Sequence, residues 1–166
     1  MLLRRCSIAK PYNVDETDLA IIRLLEIDGR RPFTEIADEL KLSASTVQQR
    51  ATRLIDSGLM KVRAIVEPAV LGLPVTATLA VKCDSAKMVQ AAYELARFDS
   101  VDYVVLCTGP YDILMEVACR DNDDLLHFIS DNLAQVSGIR EVETFLYLRT
   151  VKNSYKWEMQ EPGAAP

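Results

Sequence analysis

The chain has little of the chemistry that enzymes and metal sites use. It contains one histidine in 166 residues, His127, and no second histidine or cysteine stands at ligand spacing from it. Phosphate-cradling glycine loops, nucleophile elbows and H-x-x-x-H pairs are all missing. Asp123 and Asp124 are adjacent at the start of a predicted helix, where carboxylates favour the helix dipole rather than acid–base work. We therefore expect no enzyme activity, no catalytic residue, no metal and no cofactor.

Long apolar runs and paired cysteines are missing as well. No run approaches the roughly 20 apolar residues of a membrane-spanning helix, and the opening Met-Leu-Leu-Arg-Arg-Cys has no signal-peptide core. The cysteines show no metal spacing, and three of the four lie in apolar runs: Cys6, Cys83, Cys107 and Cys119. We expect a cytoplasmic globular protein with reduced cysteines and no membrane partner.

Charge is distributed unevenly along the chain. The net charge of −5 argues against a nonspecific nucleic-acid binder. Residues 1 to 63 nevertheless carry 11 Lys and Arg against 9 Asp and Glu, whereas residues 64 to 166 carry 8 against 15. Between residues 41 and 63 a single acid, Asp56, stands among five cations: Lys41, Arg50, Arg53, Lys61 and Arg63. Phosphate contact explains this cluster, and ordinary surface charge is the alternative.

Apolar spacings of three and four predict three helices before Gly58. We expect Asp15 or Thr17 to cap the first helix, Thr34 the second and Ser43 the third. The expected inward positions of the first helix are Leu19, Ile22 and Leu25, helped by Ile21; those of the second are Ile36, Ala37 and Leu40. Lys41 and Leu42 form a tight turn between the second and third helices.

The third predicted helix buries one stripe and exposes a polar one. Its expected buried positions are Val47, Ala51, Leu54 and Ile55. Hydroxyls, amides and arginine then point away from the core, which is the layout of a helix-turn-helix. Residues 60–66 alternate roughly between apolar and polar and predict a short strand, a wing beside this helix. A solvated helix face is the plain alternative for any single polar residue.

Residues 75–151 have a different periodicity. They predict strands at 75–82, 101–108, 113–119 and 139–151, with helices at 86–98 and 122–136. The order is βαββαβ, so we expect a four-stranded antiparallel sheet with both helices on one face. The other face would expose Phe145 and Tyr147, and burying it against a second copy predicts a homodimer.

Three stretches together resemble one known family. They are the run from Val14 to Arg31, the run Leu-Ser-Ala-Ser-Thr-Val-Gln-Gln-Arg-Ala-Thr-Arg-Leu-Ile-Asp-Ser-Gly-Leu-Met, and the later Gly-Pro-Tyr-Asp. Their order and spacing resemble the Lrp/AsnC (feast/famine) transcription regulators from about Val14 to Asn153. The resemblance implies an α+β protein with a winged helix-turn-helix domain (14–63), a linker (64–74) and a ferredoxin-like βαββαβ (RAM-type) domain (75–153). Composition predicts a loose arm before them (1–13) and a tail after them (154–166).

The resemblance also implies partners and site residues. It implies sequence-specific binding to double-stranded DNA, with contacts from Ser43, Ser45, Thr46, Gln48, Gln49, Arg50 and Arg53. The cation cluster adds Lys61 and Arg63 as expected DNA contacts. Arg50 sits close to the apolar stripe, so phosphate contact and bracing of the helix both stay open for it. We expect Gln49 and Arg53 to carry more specificity, and Lys61 and Arg63 more bulk affinity. Members form dimers that commonly assemble into tetramers or octamers.

The family's effector pocket falls on the turn between the second and third strands. It maps to Gly109, Tyr111 and Asp112, with Phe145 and Tyr147 nearby. An aspartate suits an α-ammonium group and a glycine lets backbone amides approach a carboxylate, so an amino acid is the expected effector. A plain hairpin turn in which Asp112 bonds backbone is the alternative, and Pro110 removes one amide donor.

Two rival functions stay open at this stage. A small dimeric α+β enzyme of the monooxygenase type also pairs ferredoxin-like sheets, but it leaves residues 14–63 without a role. A winged-helix module that binds protein rather than DNA is the second rival.

Overall fold

A computed structural model describes residues 13–153, which divide into two compact units, residues 13–65 and residues 66–153. Most of the expected arm and the whole expected tail, with Cys6, lie outside the described residues. No helix in the described range is long and apolar enough to span a bilayer. Each unit has its own core.

The first unit is built from three helices: α1 (Glu16–Ile27), α2 (Phe33–Leu40) and α3 (Ala44–Asp56). Asp15 caps α1, as expected, and forms a capping box with Asp18. The core of the unit contains Ile21, Leu25, Ile36, Ala37, Val47 and Ala51. These apolar residues stand at helical spacing, which is why the three helices close around one another.

Several local expectations for this unit were wrong. The N-cap of α2 is Pro32, without a side-chain cap hydrogen bond, rather than Thr34. Proline suits a helix start because its fixed φ is already helical and the first N–H groups have no helical acceptor. Ile55 is 41% exposed, because the buried stripe of α3 is narrower than expected. In α1, Ile21 is fully buried, whereas Leu19 and Ile22 are only partly buried.

The predicted wing strand is also corrected. Residues 60–66 contain no strand, although Met60 packs against the helical core. A strand needs hydrogen bonds to a neighbour, and no strand is described between residues 13 and 65 that could pair with this run. The helix-turn-helix is therefore present without a paired wing.

The second unit contains a four-stranded sheet in the order β2-β3-β1-β4, and the paired strands are all antiparallel. The strands are β1 (Val75–Cys83), β2 (Val101–Leu106), β3 (Ile113–Cys119) and β4 (Ile139–Leu146). The helices α4 (Met88–Leu95) and α5 (Asn122–His127) connect them, giving the order βαββαβ. The α+β class and this element order confirm the expectation from the sequence.

One face of the sheet forms the core of this unit. Ala77, Leu79 and Val81 on β1 are opposite Val117, Met115 and Ile113 on β3, and all six are buried. They share a hydrophobic cluster with Ala91 and Leu95 of α4 and Leu125 of α5. Thr78 and Ala80 alternate with these residues and therefore belong to the other, open face.

The predicted boundaries of α4, β1 and β2 are off by one to three residues, and two elements differ more. β4 ends at Leu146 rather than at residue 151, and its last pair with β1 is Leu146 opposite Ala77. Since β1 begins at Val75, it has no residue that could pair with residues 149–151. The helix expected over 122–136 is α-helical only to His127. A π-helical turn, Phe128–Asn132, and a short 3-10 turn, Leu133–Gln135, continue it.

Candidate nucleic-acid interface and effector-binding loop

Three hydroxyl groups meet at the start of α3. The Ser43 Oγ accepts a hydrogen bond from the Thr46 backbone N–H at 3.1 Å, so Ser43 is the N-cap predicted from the sequence. The same oxygen lies 2.9 Å from the Ser45 Oγ and 2.7 Å from the Thr46 Oγ1. All three residues belong to the predicted DNA-contact set, and one of them also fixes the start of the helix.

One face of α3 is polar and open to solvent. We call it the recognition face and define it by its exposed side chains: Ser45, Gln48, Gln49, Thr52 and Arg53. Helical spacing places them together, opposite the buried Val47, Ala51 and Leu54. The expected contact set omitted Thr52, although helical spacing places it between Gln48 and Gln49 on one side and Asp56 on the other.

Arg50 lies beside this face and has partners within its own unit. Its Nη1 is 2.7 and 2.8 Å from the two carboxylate oxygens of Asp15 and 2.8 Å from the Oδ1 of Asp18. These bonds lower the pKa of the Asp15 carboxyl below its ordinary value and raise the pKa of the Arg50 guanidinium. Of the two roles left open for Arg50, the contacts within the chain match bracing.

Lys61 and Arg63 are exposed in the extended run that follows α3. The run lacks strand pairing, so no hydrogen-bonded ladder orients these two side chains. Gly29 lies close to this run, since a Cβ added there would be 3.4 Å from the Val62 Cγ1. The run therefore packs near the end of α1 and carries its two cations on the surface of the helical unit.

The loop predicted to bind an effector joins β2 to β3. Gly109 has φ 131°, a conformation that L side chains rarely adopt, and a Cβ there would meet no atom within 4 Å. Backbone conformation, rather than crowding, is therefore what requires glycine. The Asp112 Oδ2 accepts a hydrogen bond from the Cys83 backbone N–H at 2.8 Å. This bond goes to another strand rather than to the turn's own backbone.

Charged and aromatic groups surround this loop. The Lys82 Nζ is 2.6 Å from the Glu141 Oε2 and 5.7 Å from the centre of the Tyr111 ring. The Glu141 carboxylate, through its hydrogen bond, raises the pKa of the Lys82 ammonium. The Cys107 Sγ donates to the Tyr111 carbonyl oxygen at 3.3 Å. The Lys82 ammonium on β1, the Tyr111 ring and the Asp112 carboxylate of the loop thus lie within one region.

Phe145 and Tyr147 lie further along the same face of the sheet. Phe145 on β4 is paired with Thr78 on β1. The Tyr147 hydroxyl is 2.5 Å from the Thr78 Oγ1 and donates to the Glu116 Oε1 at 2.8 Å. The Asp112 N–H, in contrast, bonds the Val81 carbonyl, three residues further along β1. At about 3.3 Å per residue the two groups are about 10 Å apart along the strand.

A shallow groove of about 530 Å³ opens beside Tyr147. Its lining comes from residues 67–76 and 147–153. Gly109, Tyr111 and Asp112 do not line it, so the groove and the predicted effector loop are separate features of this unit. In the described residues no group of His, Cys, Asp and Glu side chains could hold a metal ion.

Comparison with family models matches both units. A model described as the AsnC-type helix-turn-helix domain matches residues 14–55, and one described as the Lrp/AsnC ligand binding domain matches residues 76–157. The first match covers α1, α2 and all of α3 except its last residue, and the second covers the sheet except the first residue of β1. The class is thereby defined: a helix-turn-helix transcriptional regulator with an α+β ligand-binding domain.

Relatives agree over most of the chain. An uncharacterised HTH-type transcriptional regulator of Pyrococcus horikoshii is 37% identical over 150 residues, covering 90% of this chain and 92% of the relative. LrpA of the same organism, an HTH-type transcriptional regulator, is 30% identical over 140 residues, covering 84% and 99%. The structure of Escherichia coli AsnC superposes with a TM-score of 0.75 at 26% identity, covering 86% and 97%. The chain belongs to the Lrp/AsnC family.

Family membership confirms several expectations. The matched relatives are transcriptional regulators and not enzymes, so the monooxygenase-type alternative is dropped. The helix-turn-helix makes DNA the partner of the first unit, and the second unit matches a ligand-binding domain.

Proposed function

We propose that the chain is a sequence-specific DNA-binding regulator whose recognition face reads base edges in the major groove. The observation that carries this proposal is the geometry of α3, which exposes amides, hydroxyls and a guanidinium along one side. Glutamine and arginine offer the paired donors and acceptors that distinguish base pairs there. Residues 14–63 are the proposed DNA-binding domain, residues 64–74 the linker and residues 75–153 the effector and dimer domain.

The proposed contacts divide into two kinds. Gln49 and Arg53, on the recognition face, supply specificity, because a good bidentate base contact contributes about 1–3 kcal/mol of discrimination. Lys61 and Arg63 supply affinity through phosphates, since each neutralised phosphate adds about 0.9 to the salt slope. Ser43, Ser45, Thr46 and Gln48 complete the proposed surface.

A salt titration separates these two kinds of contact. Affinities are measured for a duplex selected from a randomised pool and for a scrambled duplex of the same composition. Gln49→Ala should lower the ratio of the two affinities and keep the salt slope. Lys61→Ala should weaken both duplexes alike and reduce the slope by about 0.9. An unchanged ratio for both Gln49→Ala and Arg53→Ala would contradict the proposal, and failure of the wild type to bind DNA would favour a protein-binding module.

We further propose an amino acid as the effector, bound at the loop 109–112 with Phe145 and Tyr147 of the same or a neighbouring subunit nearby. The match of residues 76–157 to a ligand-binding domain supports a small-molecule site, and Asp112 supplies a carboxylate for an α-ammonium group. Its Oδ2 accepts from the Cys83 backbone N–H, which holds the carboxylate in place beside the loop.

Asp112→Asn tests this effector site. The amide oxygen of asparagine can still accept from the Cys83 N–H, but the charge that would hold an ammonium group is lost. A panel of amino acids at millimolar levels should contain one that raises the melting temperature of the wild type and not of the variant. If no member changes melting, sedimentation or DNA affinity of the wild type, effector control is refuted.

The open face of the sheet supports a homodimer. Thr78, Ala80, Leu114, Glu116 and Phe145 share this face by their register, and Phe145 is 47% exposed. An exposed aromatic ring on this face is best covered by a second copy. A dimer would also hold two copies of α3 at a fixed separation, as successive major grooves about 34 Å apart require. Assembly of such dimers to tetramers or octamers is part of the same proposal.

Sedimentation tests the dimer with a matched pair of variants. Phe145→Glu places a charge on the open face and should shift the protein towards monomer. Tyr93→Glu is the control, because Tyr93 is 50% exposed on α4, the helix side of the sheet. Equal sedimentation of Phe145→Glu and wild type would contradict a dimer through this face.

A further inference from the structure

The carboxylate of Asp18 is not among the DNA contacts proposed so far. Among residues 13–153 it is the one charged side chain that is fully buried, with 0% exposure. Burial of a carboxylate is costly unless it is paired and hydrogen-bonded. Asp18 lies at the start of α1 and faces α3, so the residues that pair with it belong to the helix proposed to read DNA.

This carboxylate contacts two arginines of the recognition helix. Its Oδ1 is 2.8 Å from the Arg50 Nη1, and its Oδ2 is 3.8 Å from the Arg53 Nη2. Arg50 and Arg53 are three residues apart and so lie on adjacent positions of one helix side. Asp15 joins the same cluster, because it accepts both from Arg50 and from the Asp18 backbone N–H at 2.8 Å.

The two arginines differ in how far they reach the surface. The Arg50 side chain is 26% exposed and the Arg53 side chain 55%. Arg50 makes hydrogen bonds to the carboxylates of Asp15 and Asp18, whereas Arg53 lies at ion-pair distance from Asp18. Arg50 is thus held inside the unit, while Arg53 keeps a guanidinium that can reach outward from an anchored position.

We propose that Asp18 and Arg50 are positioning residues for DNA recognition, an inference that rests on the proposed DNA-reading role of α3. Arg50 ties the middle of α3 to the start of α1 and fixes the rotation of the helix about its axis. Asp18 orients the Arg53 guanidinium before DNA arrives, so less side-chain freedom is lost on binding. Neither residue touches DNA. Pairing with two cations also compensates the buried negative charge of Asp18.

A double-mutant cycle tests this assignment on the full chain. The variants are Arg50→Gln, Asp18→Asn and the two combined, with Arg97→Gln in the sheet unit as a control for the loss of an exposed arginine. Affinities for the selected and scrambled duplexes are measured over a range of salt concentrations. Gln49→Ala is included as the variant that reports on base reading by the recognition face.

The expected result is a loss of selectivity at constant salt slope. Each single variant should lower the selected-to-scrambled ratio by about fivefold or more, the lower end of what a bidentate base contact contributes. The combined variant should lose no more than the worse single variant, because both changes break the same contact. It also leaves no unpaired buried charge, so it remains informative where a single variant unfolds, which circular dichroism detects. Arg97→Gln should match the wild type.

Two results would overturn the inference. If Arg50→Gln weakens both duplexes equally and reduces the salt slope by about 0.9, Arg50 is a phosphate contact. If Asp18→Asn and the combined variant keep the wild-type ratio, Asp18 orients nothing that reads DNA. Loss of selectivity in Gln49→Ala alongside these results would leave the proposed function standing, whereas wild-type selectivity in Gln49→Ala and Arg53→Ala would remove both.

Discussion

Ser43 has two roles that one pair of substitutions can separate. Its Oγ accepts from the Thr46 N–H at 3.1 Å and so caps α3, and it lies beside the recognition face. Ser43→Ala removes the cap and should lower the free energy of unfolding by about 1 kcal/mol, within a range of about 0.5–2 kcal/mol. Ser43→Asp keeps a capping oxygen and adds a negative charge that the helix dipole favours, so its stability should stay within about 0.5 kcal/mol of the wild type.

DNA affinity should order the two variants in the opposite way. A carboxylate about 4 Å from a phosphate in water costs about 1 kcal/mol, which is about a fivefold loss of affinity for Ser43→Asp. Ser43→Ala introduces no charge and should lose less. Urea unfolding followed by far-UV circular dichroism gives stability, and duplex binding on the same samples gives affinity.

The two measurements refute different parts of the reasoning. Wild-type unfolding of Ser43→Ala would show that the Ser43 hydroxyl does not stabilise α3. Wild-type DNA binding by Ser43→Asp would show that the start of α3 faces away from the phosphates.

Three further predictions each concern the stability contributed by a single residue. Lys41 has φ 56°, a left-handed conformation that costs an L residue about 1–2 kcal/mol. Glycine avoids this cost but loses about 0.5–1 kcal/mol in chain entropy on folding. Lys41→Gly should therefore raise the urea midpoint of unfolding by a small net amount. Leu79 is fully buried in the central strand β1, and Leu79→Ala should lower the free energy of unfolding by about 2–5 kcal/mol. Hydrogen bonds from Arg120 lower the pKa of the Asp124 carboxyl to about 2. Because this pKa is depressed in the folded protein, the contact stabilises the fold fully above pH 3.8, the ordinary pKa of the group. That stabilisation is lost as the pH falls towards about 2. Urea titrations across this acid range should show that loss in the wild type and a flatter profile in Asp124→Asn.

Local sequence patterns predicted where helices and strands form, but not whether a predicted strand has a neighbour to pair with. The β-branched and apolar run over residues 75–82 and the three-and-four spacing of Ile36, Ala37 and Leu40 are local signals. A strand and a helix formed at these positions. A wing strand over 60–66 had the same kind of signal and did not form. Its pairing depends on a neighbouring strand, and the sequence pattern of one segment contains no information about that neighbour.

Long-range polar contacts were also beyond local patterns. Asp18 has the sequence position of an ordinary first-turn acid, yet it is buried because Arg50, 32 residues later, bonds it. Likewise the Asp112 side chain accepts from Cys83, 29 residues earlier, rather than within its own turn. The face of α3 that remains outward, in contrast, follows directly from the burial of Val47, Ala51 and Leu54, so most of the predicted recognition residues are exposed.

Photo-crosslinking from the recognition face tests the central claim most directly. A photoreactive residue is placed at Gln49, and in a control protein at Gln90, on α4 of the sheet unit. With a selected duplex, the account predicts crosslinks from position 49 to bases in the major groove of the selected site, and none from position 90. Absence of base crosslinks from position 49, while the protein remains bound to the duplex, would contradict the claim that this face of α3 reads DNA.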